Sequence, residues 1–167
     1  MRIVFTGPES SGKTSLANFI SYQYKGKLIP EYSRQYLNEN GPLYTKNEIT
    51  QMAISQHTKA INCHSNANLQ IEDGDLLTYI VWQQVKYGRI NEHLMELWHT
   101  NAPDLYLICF PDLPWIYDPL REHPMDREML FKIYLTTISK NRFKYQIISG
   151  VGQQRLSLVN FYLRSLV

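Results

Sequence analysis

Residues 7–14 read Gly7-Pro8-Glu9-Ser10-Ser11-Gly12-Lys13-Thr14, the spacing G-x-x-x-x-G-K-[ST]. A β-type run, Arg2-Ile3-Val4-Phe5-Thr6, precedes it, and a helical run, Ser15-Leu16-Ala17-Asn18-Phe19-Ile20, follows. Residues of these types in this order can hold a polyphosphate. Gly7 permits the turn off the strand, and Gly12 lets the backbone come close to an anion. The stretch Gly7, Pro8, Glu9, Ser10, Ser11, Gly12, Lys13, Thr14 and Ser15 then surrounds the phosphates with amides and a helix N-terminus. Lys13 is expected to reach the β- and γ-phosphates, and the Thr14 hydroxyl to ligate Mg²⁺. The cofactors this implies are ATP and Mg²⁺.

Two acidic groups stand where strands should end. Leu69-Gln70-Ile71 runs into Glu72-Asp73-Gly74-Asp75. In an open α/β sheet, ligands sit beyond the carboxyl ends of the strands. Asp73 is the candidate for the Mg²⁺ shell. Asp75, two residues on, either points into the same cleft and accepts from a substrate hydroxyl, or caps the next helix. The second group, Glu31-Tyr32-Ser33-Arg34, follows Lys27-Leu28-Ile29-Pro30. Glu31 can take a proton from an attacking hydroxyl or orient it, and Arg34, one helical turn later, can contact phosphate. The alternative is a surface ion pair at i, i+3.

The segment Pro111-Asp112-Leu113-Pro114-Trp115-Ile116-Tyr117-Asp118-Pro119 has three prolines yet also large rings, and Arg121 and Arg127 follow it. Phosphoryl transfer requires a cover that excludes water, and arginines on a mobile cover stabilise the spreading charge. Residues 111–127 are therefore expected to form a lid carrying Arg121 and Arg127. Trp115 either stacks on a flat, preferably cationic, substrate ring or packs in the core. Arg127 can instead pair with Glu122 or Glu128 on a helix surface. Gly150-Val151-Gly152 is either a rest for an adenine ring or a plain turn.

These groups need a scaffold, and the rest of the chain supplies one. Five short apolar runs read as strands: Arg2–Thr6, Lys27–Pro30, Leu69–Asp73, Leu105–Phe110 and Tyr145–Ser149. Helical spacing occupies Thr14–Tyr24, Lys46–His64, Leu76–Tyr87, Asn91–His99, Met125–Lys140 and Gln153–Leu166. Strands alternating with helices imply βαβ crossovers and a parallel α/β sheet.

The chain has 167 residues, 44% of them apolar and 19% charged, which suits one globular domain. A formal charge of +2 is too balanced to favour nucleic acid or an anionic membrane. No apolar run approaches the roughly 20 residues that span a bilayer. Two cysteines, Cys63 and Cys109, exclude a disulfide framework, fit the reducing cytoplasm and read as core residues. The histidines show no metal-ligand spacing with them, so no zinc site is expected.

Taken together, the phosphate loop, Glu31-Tyr32-Ser33-Arg34, Asp73-x-Asp75 with Thr78, the Met52-Ala53 helix and Trp115-x-x-Asp118-x-x-Arg121 resemble the NadR-type ribosylnicotinamide kinase domain. The resemblance runs from Arg2 to about Leu166. It implies a P-loop NTPase of nucleoside or nucleotide kinase type: three α/β/α layers and a five-stranded parallel sheet in the order 2-3-1-4-5. It also implies a single domain over residues 1–167. The implied activity is transfer of phosphate from ATP to the ribose 5′-hydroxyl of nicotinamide riboside, a step in NAD biosynthesis. By that resemblance Asp75 and Glu31 lie near the ribose, Trp115 stacks on the nicotinamide ring, and Tyr32, Arg34 and Asp118 belong to the substrate site. The bifunctional members carry an adenylyltransferase domain before the kinase, and this sequence starts at the kinase's first strand. Neither that second activity nor transcriptional regulation is therefore expected.

The leading expectation is a kinase with a small-molecule nucleoside as its partner. A kinase of another nucleoside or nucleotide is the second reading. The third is a P-loop ATPase switch acting through a protein partner.

Overall fold

Strand alternation decides which way each core residue points, and it builds three layers here. A computed structural model describes residues 1–64 and 68–164. Strands β1 (Arg2–Thr6), β2 (Lys27–Ile29), β3 (Gln70–Asp73), β4 (Leu105–Cys109) and β5 (Tyr145–Ile148) form one parallel sheet in the order β2-β3-β1-β4-β5. The helices are α1 (Lys13–Gln23), α2 (Tyr32–Asn40), α3 (Lys46–His64), α4 (Leu76–Tyr87), α5 (Glu92–Thr100), α6 (Arg127–Lys140) and α7 (Gln153–Arg164).

Ile3, Phe5, Leu105, Leu107, Cys109 and Ile148 face one side of the sheet and pack on Leu16, Ala17 and Ile20 of α1 and Val159 and Leu163 of α7. Val4, Tyr106 and Ile108 face the other side, toward α3, α4, α5 and α6. The period of two along each strand accounts for both sets, and burial on both faces accounts for the near-continuous apolar strands. This is the P-loop fold of nucleoside and nucleotide kinases, with the strand order that the resemblance implies. Among the described residues no helix is long and apolar enough to cross a membrane.

Register brings the chemistry to one edge. Phe5 pairs with Asp73 on one side and Leu107 on the other. The carboxyl ends of β1, β3 and β4 therefore open beside one another, and the loops that follow them line one cleft.

Most element ends fall within two residues of the sequence reading. The last helix was expected to reach Leu166, and residues 165–167 lie outside the described set. The sequence reading misses α2 as a helix. It buries only Ser33 and Leu37, so no apolar stripe announces it. Cys109 is fully buried, as a core residue should be, whereas Cys63 is only partly covered.

Candidate active site

The phosphate loop begins where β1 stops. Gly7 has φ +127°, and a Cβ on it would lie 2.7 Å from the carbonyl oxygen of Cys109. Only glycine fits there. Gly12 (φ 82°) is the N-cap of α1, offers no side-chain cap, and is followed by a first turn without acidic residues. The N-terminal N–H groups of α1 are thus not neutralised by the chain's own carboxylates, which is what an anion site needs. Lys13 Nζ reaches back to donate to the Pro8 carbonyl at 2.8 Å, and Ser11 Oγ donates to the same oxygen at 2.7 Å.

Asp73 ends β3 beside this loop and is 4% exposed. Burial raises its pKa to about 6, and the Glu31 charge adds to the shift. Lys13, the Thr14 hydroxyl and Arg34 pull it back. Its Oδ1 is buried without a hydrogen-bond partner among the described residues. A buried, unpaired carboxylate oxygen beside a threonine hydroxyl is the donor set of a hard dication completed by phosphate and water oxygens.

Glu31 is the N-cap residue of α2, but its side chain does not cap. It accepts from the Ser33 hydroxyl and faces the cleft. Two residues that the sequence reading left out hold this corner. Gln56 accepts from the Tyr32 N–H (2.7 Å) and donates to the Gly74 carbonyl (3.2 Å). The Tyr79 hydroxyl accepts from the Ser33 N–H at 3.2 Å. The start of α2 is thereby tied to the end of β3, which keeps Glu31 across from Asp73.

Three residues stand away from the substrate positions that the resemblance implies. Asp75 is buried, accepts from the Leu77 N–H at 3.1 Å to cap α4, and accepts from the Tyr106 hydroxyl. Burial raises its pKa to about 6, and it faces Arg2 and Glu72 rather than the cleft. Of the two readings open for Asp75, capping is the one its geometry carries. Tyr32 is turned toward Tyr36 and Lys59, whose ammonium lies 4.1 Å from its ring. Trp115 sits between Arg121 and Arg127, each guanidinium 5.8 Å from the ring centre. It is bound to the chain's own cations instead of lining the cleft.

The segment between β4 and α6 lies across the phosphate loop through many contacts. Glu9 accepts from the backbone N–H groups of Glu122 and His123 at 3.1 Å each. Ser10 Oγ accepts from the Ile116 N–H at 3.0 Å. Arg127 donates to the Leu113 carbonyl at 2.8 Å and to the Ser10 carbonyl at 3.4 Å, so its partners are carbonyls rather than Glu122 or Glu128. Arg121 donates to the Ile116 carbonyl at 2.5 Å and its side chain reaches the cleft. Asp118 pairs with Arg34 at 2.8 Å, which links the segment to α2. At the far end Glu122 accepts from the Tyr44 hydroxyl (2.6 Å) and pairs with Lys86 (3.1 Å).

The cleft measures about 410 Å³. One end is the phosphate loop with Glu31, Arg34 and Arg121. The other wall is apolar: Leu37, Val81, Trp82, Val85, Leu130 and Tyr134. These residues escaped the sequence reading. Their one signal is spacing: Thr78, Val81, Trp82 and Val85 recur at three- and four-residue steps on α4, which equally describes a core stripe.

A family model described as an AAA domain matches residues 2–155. This chain belongs to that AAA domain family. No protein with a curated description matches the sequence. Among solved structures, NadR protein in complex with NAD and AMP-PNP aligns with a TM-score of 0.75 at 14% identity, covering 99% of this chain and 49% of that one. NadR in complex with NR gives a TM-score of 0.73 at 15% identity, covering 90% of this chain and 46% of that one. Deoxyadenosine kinase from M. mycoides with bound dATP gives 0.65 at 14% identity, covering 98% and 99%. At these identities the likeness is one of fold. This AAA family member spans about half of the NadR chains and nearly all of the deoxyadenosine kinase chain.

Proposed function

We propose that this chain is an ATP-dependent kinase of a small-molecule nucleoside, nicotinamide riboside first among them. One observation carries the reading. The orphaned Asp73 carboxylate oxygen and the Glu31 carboxylate flank a phosphate loop that opens into a nucleoside-sized apolar pocket. In this reading Gly7 through Ser15 bind the triphosphate of ATP, and Thr14 and Asp73 hold Mg²⁺. The metal would supply charge neutralisation on the β- and γ-phosphates. Glu31 accepts the proton of the ribose 5′-hydroxyl as that oxygen attacks the γ-phosphorus. The new O5′–P bond forms as the bond to the ADP oxygen breaks, and ADP leaves. Lys13, Arg121 and Arg34 stabilise the charge that spreads over the transferred group. Residues 111–127 serve as the lid, with Arg127 and Asp118 setting its closed form and Trp115 stiffening it between the two arginines.

The ring of the acceptor lies against Trp82, a placement that replaces the stacking on Trp115 that the resemblance implies. Three carboxylates on the cleft, Glu9, Glu31 and Glu122, suit a cationic ring such as nicotinamide. A second reading, a kinase of a deoxynucleoside, draws on the 99% coverage of the deoxyadenosine kinase chain.

The test is ADP release with MgATP across a panel of nucleosides. Strong stimulation by nicotinamide riboside, with the mononucleotide formed in equal amount, establishes the proposal. Stimulation by a deoxynucleoside instead moves the substrate and keeps the kinase. Basal hydrolysis unaffected by every acceptor overturns the kinase reading in favour of a switch.

Trp82→Leu separates the two tryptophans. It should raise the acceptor KM about fivefold and leave the ATP KM within twofold, since a lost aromatic face costs about 1 kcal/mol. Trp115→Leu should lower kcat with little effect on the acceptor KM. The reverse pattern would return the ring to Trp115.

A further inference from the structure

Arg155 lies in the first turn of α7, and its side chain is only 3% exposed. Its guanidinium is engaged on every side. Nε donates to the Gly150 carbonyl at 2.7 Å, Nη1 to the Ser11 carbonyl at 2.5 Å and Nη2 to the Phe110 carbonyl at 2.6 Å. Nη2 also pairs with one carboxylate oxygen of Asp112. The other Asp112 oxygen accepts from the Gly150 N–H at 2.5 Å. One side chain therefore joins the phosphate loop, the end of β4, the root of the 111–127 segment and the turn after β5.

The contact to Ser11 has a chemical consequence. A peptide unit is planar and trans, so its C=O and N–H point in opposite directions. Arg155 holds the Ser11 carbonyl, so the N–H of Gly12 is directed away from the guanidinium. Gly12 sits at φ 82°, and glycine alone turns over freely between positive and negative φ. Without an anchor, that peptide can reverse and present a carbonyl to a phosphate. Lysine is a poor replacement, because its ammonium is a single point while the four contacts need a planar fork.

We propose that Arg155 is a positioning residue for nucleotide binding, locking the Ser11–Gly12 peptide with its N–H toward the phosphates and, through Asp112, seating the lid root on the same anchor. The inference rests on the nucleotide-binding half of the proposed function and is independent of the acceptor.

The test uses the full chain and MgADP as the probe. Dissociation constants are measured by calorimetry, and melting temperatures separately, for the wild type, Arg155→Lys, Asp112→Asn and the double variant. Arg155→Lys is expected to weaken MgADP about tenfold or more and adenosine less than twofold, because the loss follows the phosphates. Asp112→Asn should weaken MgADP about threefold, and the double variant should be no weaker than Arg155→Lys alone. A purely structural arginine would lower the melting temperature and leave MgADP affinity unchanged, which overturns the proposal. If Arg155→Lys fails to fold, Asp112→Asn decides alone, and unchanged MgADP affinity there also overturns it. Additive effects would show that Asp112 does not act through Arg155. A wild type that does not bind MgADP would overturn both this inference and the proposed function. Binding that responds to Arg155→Lys while no acceptor is phosphorylated would leave this inference standing and remove only the kinase.

Discussion

Lys13→Ala should lower kcat/KM for phosphoryl transfer by about a thousandfold, roughly 4 kcal/mol of transition-state stabilisation, without unfolding the protein. Among the described residues Lys13 makes one hydrogen bond, to the Pro8 carbonyl, and that carbonyl keeps the Ser11 hydroxyl as a donor. Losing such a bond costs about 1 kcal/mol, a few degrees of melting temperature. The ammonium is also the cation that phosphoryl transfer would concentrate between the β- and γ-phosphates. The two effects thus separate: a large loss of rate and a small loss of stability. Circular dichroism, a melting curve and a turnover assay check this. A variant with near-normal turnover would remove the phosphate loop from the chemistry.

The reason the phosphate loop was legible is that its chemistry is local. Gly7, Gly12, Lys13 and Thr14 act within eight residues, and the strand before and helix after them are visible in the same window. Asp73 was legible because an apolar strand leads straight to it. Asp75 was not, although it lies two residues on. Strand periodicity would set it on the same face as Asp73, but β3 stops at Asp73 and Gly74 turns the chain at φ +76°. The Asp75 carboxylate then meets the start of α4 and Tyr106. Trp115 and Trp82 show a further limit. Trp115 meets cations six and twelve residues along an irregular segment, a spacing no helix or strand period contains. Trp82 belongs to a helix rich in apolar residues, where the stripe that faces a cleft and the stripe that faces the core have the same composition. Arg155 is further still from any local signal, because its meaning comes from Ser11 and Phe110, brought to it by the sheet order.

Asp73→Asn should make the protein more stable and nearly inactive at once. The pKa of Asp73 rises from 3.8 to about 6 on folding, with burial the first cause and the Glu31 charge the second. A carboxyl whose pKa rises on folding binds its proton more tightly in the native state, so its ionised form works against folding. That cost is fully present above about pH 6 and disappears as the pH falls below the unfolded value of 3.8. Asparagine removes it, so the variant should melt several degrees higher than the wild type at pH 8 and at the same temperature near pH 4. The same substitution removes the charged oxygen that the metal would need, and kcat/KM should fall at least a hundredfold. In the wild type, Mg²⁺ added to the ADP complex should raise the melting temperature more at pH 8 than at pH 5.5, because the ion competes with the proton for one carboxylate. In Asp73→Asn it should do so at neither pH. Destabilisation at pH 8, or a Mg²⁺ response that survives the substitution, would mean that Asp73 is a structural carboxylate satisfied by the fold. The expected opposite signs of the two effects follow from one geometry: a carboxylate kept buried and unpaired is costly to the fold until a cation completes it.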